Sequence, residues 1–176
     1  MAEFPRINFL PDPLIHSYTL SPNSLGSMPV LNGVFGASSY PTANLALFVP
    51  FRLTRPTTFN TLFIYQAGTA SGNIDLGIYS ADGTKLISTG STANTTGLQS
   101  ISITATTFTA GLYYYAVACD NTTNQPVFMS MSQAMFLKAV GMAQMASAFP
   151  LPATATFATI GQTVIPIIGA TARSVI

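Results

Sequence analysis

IDLGIYSADGTKL, residues 74–86, decides the fold. Ile74, Leu76 and Ile78 fall on alternate positions, which puts them on one face of an extended strand. Asp82-Gly83 follows, and an Asp-Gly pair between apolar runs signals a hairpin, because tight turns of this kind need positive φ near their centre. Leu86 and Ile87 resume the apolar pattern on a returning strand. The hairpin is regular, and it carries almost nothing that could react.

The same alternation extends to both sides. Leu45, Leu47, Val49, Phe51 and Leu53 share one strand face, while Pro50 on the opposite parity predicts a sheet edge or a bulge. Phe59, Thr61, Phe63 and Tyr65 interleave with Asn60, Leu62 and Ile64, a strand apolar on both faces in part. Ile101 and Ile103 alternate with Ser and Thr on the way to Phe108. LYYYAVAC, residues 112–119, is apolar on both sides and reads as a central strand. QPVFMSMS, residues 125–132, closes the pattern. About seven or eight strands separated by regular turn signals predict an all-β chain, an antiparallel β-sandwich of jelly-roll type.

Three zones follow from this. Residues 1–43 are rich in proline, glycine and serine, yet hold Phe4, Ile7, Phe9 and Leu14, too many apolar side chains for a linker. They predict an extended arm that packs on its own domain or on a neighbouring subunit. Residues 44–132 form the sandwich core. In residues 133–176, SQAMFLKAVGMAQMASAF predicts a short helix near 133–147 with Ser132 as its N-cap, and Met135, Ala139, Met142 and Ala146 on one face. A final strand or C-terminal arm on the same domain follows it.

The composition restricts function more than it reveals it. Of 176 residues 48% are hydrophobic and only 6% charged, against about 25% charged in an average soluble chain. Polarity comes instead from 16 Ser, 23 Thr and nine Asn. Such a chain has too much apolar surface to stay disordered, and at net charge +1 it has little repulsion against self-association. A surface covered largely by other subunits explains both features. Nucleic acid is excluded by the scatter of the basic residues, since Arg52 and Arg55 alone lie close together and a phosphate surface needs clustered cations. No stretch reads as a secretory signal or a membrane span; residues 139–172 are uncharged but broken by Pro150, Pro152 and Pro166.

The reactive inventory is short. Cys119 is the sole cysteine and reads as a buried small hydrophobe. His16 is the sole histidine and lies in the arm with Glu3 and Asp12. Asp82 belongs to its turn, which leaves Asp75 and Asp120, read as lying near strand ends or outer faces, as the only carboxylates for acid–base work in the core. No Gly-x-Ser-x-Gly elbow or phosphate loop is present. Asp120, Asn121 and Asn124 in CDNTTN offer oxygens to calcium, but one carboxylate makes a weak site and an Asx turn explains the residues equally. The chain is therefore expected to be no enzyme and to have no cofactor and no metal. Tyr113 and Tyr115, together with Arg52 and Arg55, are the candidates for an interface or a glycan contact, against the plainer reading of the tyrosines as core.

Taken together, Gly77, Ile78 and Tyr79, the Asp82-Gly83 turn, and Gly111, Tyr113 and Ala116 about thirty residues later resemble the β-sandwich modules of tailed-bacteriophage virion proteins, with their carbohydrate-binding-like fold. The resemblance covers residues 58–120. The charge-poor composition and Pro-rich arm are similar to those of capsid decoration, or cement, proteins. It implies a viral structural protein without catalysis: a homo-oligomer, most simply a trimer, on the capsid surface of the virion, made in the host cytoplasm and contacting the major capsid protein or another virion protein. Phe4, Ile7, Phe9 and Leu14 would then be arm contacts. The alternative it implies is a receptor- or glycan-binding module of a tail or head fibre. A small hydrolase would have to be built from one histidine and few carboxylates.

Overall fold

A computed structural model describes residues 17–21, 24–27, 34–130 and 134–172. In chain order the strands are β1 (Ser17–Ser21), β2 (Ser24–Ser27), β3 (Val34–Ala37), β4 (Ala46–Leu53), β5 (Thr57–Gln66), β6 (Asn73–Ser80), β7 (Lys85–Ser88) and β8 (Thr92–Ala93). They continue with β9 (Gly97–Phe108), β10 (Gly111–Cys119), β11 (Val127–Ser130), the helix α1 (Ala134–Ala139), β12 (Ala143–Met145), β13 (Ala158–Thr159), β14 (Val164–Pro166) and β15 (Ile168–Ala172). The chain is an all-β, antiparallel sandwich. One sheet runs β1-β2-β15-β5-β9. The other runs β13-β12-β4-β10-β6-β7, with β8 also on β6, and a small sheet β14-β11-β3 sits beside them.

The alternation in the sequence builds the main core. Leu45, Leu47, Val49, Phe51 and Leu53 are all buried, as are Ile74, Leu76 and Ile78, and they join Leu62, Ile64, Ile168 and Ala170 of the facing sheet in one apolar cluster. Burying such side chains stabilises by about 1.5–3 kcal/mol each before chain entropy is counted. β10 lies between β4 and β6, the central place its two apolar faces predict. Pro50 keeps its register opposite Tyr114, because β12 pairs only with Ala46, Leu47 and Phe48 and leaves β4 as a local edge beyond them.

The hairpin of residues 74–86 forms with one refinement. Gly83 alone takes the positive φ, at 89°, and its N–H closes on the Ser80 carbonyl at 3.0 Å. The Asp82 carboxylate accepts from the Ser80 hydroxyl and from the Thr84 N–H, which hold its carboxyl below the usual range.

The outer zones interleave with the core. β2 pairs with β15 and β3 with β11, so the described strands of residues 1–43 belong to this chain's own sheets. Phe4, Ile7, Phe9 and Leu14 lie outside the described residues, as does Ser132. The helix is shorter than its pattern predicts. Gly141 takes φ 79° and the Met142 N–H closes on the Leu137 carbonyl, which ends α1 and sends the chain into β12. The shared face of Met135, Ala139, Met142 and Ala146 is thereby corrected: Met142 is buried, while Met135, Ala139 and Ala146 are exposed.

A third layer was not predicted. The outer face of β4, β10 and β6 carries Ala46, Phe48, Ala116, Ala118 and Tyr79, and the segment after β12 lies across it with Ala148, Leu151 and Ala155. Phe157 packs edge-on to Phe48 at 5.0 Å. Gly77 makes room for this strap, since a Cβ there would stand 2.9 Å from Leu151.

Candidate functional site

Two polar constellations and one exposed face are the candidates. The first gathers the turns after β5, β8 and β10 at one end of the sandwich. The Asp120 carboxylate accepts from the Asn73 N–H at 2.9 Å, from the Asn73 amide at 3.1 Å and from the Asn121 amide at 2.6 Å. Asn124, fully buried, accepts from the Ser71 N–H and from the Asn94 amide, both at 2.7 Å. Asn121 Oδ1 accepts from the N–H groups of Thr123 and Asn124, an Asx turn. Gln125 closes the end by pairing with Thr69 in both directions. The oxygens that CDNTTN offers to a cation are thus occupied by N–H donors. Their work is to tie three loops together.

The second constellation surrounds Asp75, which sequence reading places near a strand end or on an outer face. It is on the outer face, but the strap covers it and leaves 1% of it accessible. Its carboxylate accepts the Leu151 N–H at 3.0 Å, and the Thr89 hydroxyl stands 3.3 Å away. Lys85 donates to the Leu151 carbonyl at 2.6 Å, and the Tyr79 hydroxyl donates to the Pro152 carbonyl at 2.6 Å. Burial raises the Asp75 pKa, against the opposing pull of the Leu151 N–H, the Lys85 charge and Thr89. Of its two partners, Leu151 belongs to the strap, and Thr89 lies in the loop after β7, where its oxygen also accepts the Leu76 N–H.

Among the described residues no three of His, Cys, Asp and Glu come together as a metal site would need. His16, Glu3 and Asp12 lie outside the described residues. Cys119 is buried, and burial pushes its thiol up to about 12. A thiol so placed is inert at neutral pH. A disulfide reagent should leave the native chain unmodified and should titrate one thiol once denaturant is added; fast labelling of the folded chain would contradict this placement.

The tyrosine candidates require a correction. Tyr113 and Tyr115 are both core residues. Tyr115 stacks on Phe51 with ring centroids 3.9 Å apart, and Tyr113 sends its hydroxyl to the Thr109 carbonyl at 3.0 Å. They share one face because they are two apart, and that face points inward. Tyr114, between them, leans on Phe157 on the strap side. Arg52 and Arg55 are exposed, near the turn between β4 and β5.

The exposed face that sequence reading missed is the outside of β9, with Tyr65 of β5 beside it. Tyr65 is 44% and Leu98 64% accessible, and the two sit directly opposite one another. Ser100 and Ser102 continue the exposed row along β9. The signal was present in the Ser and Thr alternating with Ile101 and Ile103, which marks a strand with one wet face. No helix among the described residues is long and apolar enough to cross a membrane. Comparison of the chain with protein-family models, with curated proteins and with solved structures gives no match.

Proposed function

We propose that this chain is a non-enzymatic structural subunit that acts through contact with other protein subunits. One observation carries the reading: the exposed strand face is made of the uncharged Tyr65, Leu98, Ser100 and Ser102, in a chain with only 6% charged residues. A surface of that kind is poorly protected alone and well suited to being covered. The described aspartates support it, since Asp75, Asp82 and Asp120 are each spent on a strap, a turn or a loop junction.

The finer form of the proposal follows the resemblance in residues 58–120. In it the chain is a capsid decoration subunit of a bacteriophage virion, a homotrimer on the capsid surface that binds the assembled lattice and stabilises it by mass action. The glycan-binding alternative loses its two tyrosine contacts, because Tyr113 and Tyr115 are buried, and keeps only the exposed Arg52 and Arg55.

Purified chain should sediment as a defined homo-oligomer, and should raise the temperature at which its shell comes apart. A species that stays monomeric at every accessible concentration would sink the proposal.

A further inference from the structure

A strand at the end of a sheet carries a row of unpaired backbone groups, and proteins blunt such edges with short strands, charge, proline or bulges. The ends of the strap-side sheet follow this rule. β13 has two residues, and β7 has four and begins with Lys85. β9 is built differently. It ends the five-stranded sheet, pairs among the described residues with β5 alone, and runs for 12 residues without a charge or a proline. One blunting device is present, a bulge that sets residues 103–105 against Asn60. It leaves residues 97–102 in unbroken register with β5.

We propose that this edge, residues 97–102 of β9, unpaired among the described residues, pairs antiparallel with the same edge of a second copy, joining two five-stranded sheets across a two-fold axis. The proposal rests on the reading of the chain as a contact subunit and adds a two-fold contact to it, which a homotrimer can share only as a pair of trimers. A second copy is the occupant because an antiparallel edge is its own complement: a two-fold axis normal to the sheet carries each row of donors and acceptors onto the other. Like charges directly opposite would oppose such pairing, and β9 has none. Residues directly opposite in an antiparallel pair share a sheet face, so the axis passes beside a residue that faces itself. Ser100 is the middle of the exposed row Leu98, Ser100 and Ser102. Centring there sets the two Ser100 side chains together and each Leu98 beside Ser102 of the other copy. The exposed Tyr65, opposite Leu98 on β5, widens the apolar contact from within the sheet.

Sedimentation equilibrium and amide exchange on the full chain test this. The expected mass is an even number of copies, with protection of residues 97–102 that increases with concentration. Ser100→Lys combined with Ser102→Lys should weaken association at least ~10-fold and leave the far-ultraviolet circular dichroism unchanged, because both side chains point to solvent. Ser100→Cys should give a covalent dimer on mild oxidation, which tests the same contact without added charge. An oligomer that ignores the two lysines and does not cross-link overturns the edge pairing while the subunit reading stands. A chain that is monomeric throughout overturns both.

Discussion

Replacing Phe51 by alanine is expected to lower the unfolding free energy by about 3–5 kcal/mol, the range for removing a buried aromatic ring. Phe51 is 1% accessible and lies where the two sheets meet. Its ring stacks on Tyr115 at 3.9 Å with 14° between the planes, and reaches Tyr113 at 5.7 Å and Phe59 at 6.4 Å. Alanine would remove all three contacts and leave a cavity that paired strands cannot collapse to fill, since β4 is held by β10 along its whole length. Phe51→Leu keeps most of the volume and should cost clearly less. Urea unfolding of the three proteins measures this. A loss below about 1 kcal/mol for the alanine variant would mean that the inter-sheet core is not packed as described.

The second large effect concerns Asp75 and is a matter of sign as well as size. Asp75→Ala removes the acceptor of the Leu151 N–H, and a buried donor left unpaired costs about 1–3 kcal/mol. Lys85 loses its nearby counter-charge at the same time. Asp75→Asn behaves differently, because an amide oxygen can still accept from Leu151. Burial raises the folded-state pKa of Asp75 above the ordinary 3.8, so the folded chain holds this proton more tightly than the unfolded chain. Its contribution is therefore most favourable in acid, and it declines as pH rises from the ordinary carboxylate value through the raised one. Asp75→Asn should abolish that decline. Comparing unfolding free energies of the wild type and the two variants between about pH 4 and 7 separates the effects. If Asp75→Asn retained the wild-type pH slope over that interval, another group would be responsible.

These two residues also show how far the sequence could be read. Phe51 was legible: its parity with Leu45, Leu47, Val49 and Leu53 puts it on the inner face, and every member of that row is buried. A strand has only two faces, so one period of two residues suffices to sort them. Asp75 was not legible. Its parity places it on the outer face with Gly77 and Tyr79, which is correct, but an outer face of a two-layer sandwich should be wet. Only the strap makes it dry.

The exposed site follows the same division. The alternation of Ser and Thr with Ile101 and Ile103 marks β9 as one-sided, but nothing local says that it ends its sheet, because strand order depends on partners such as Tyr65 and Ile64, more than thirty residues away in sequence. The tyrosine run illustrates the reverse case. Tyr113, Tyr114 and Tyr115 must divide between two faces by geometry alone, yet which face is the core was decided by Phe51 and Phe108 on one side and Phe157 on the other.

By itself the sequence determined the strand class, the hairpin at Asp82-Gly83, the inner faces of β4 and β6, the central character of β10 and the poverty of reactive groups, because period-two alternation and turn chemistry are local physics. Tertiary structure alone decided that residues after β12 form a third layer, that Gly141 cuts the helix to one short element, that Asp75 is buried and that β9 stands at an edge. Each of these depends on which distant segment arrives to cover a face, and coverage is a property of the assembled fold that no local pattern encodes.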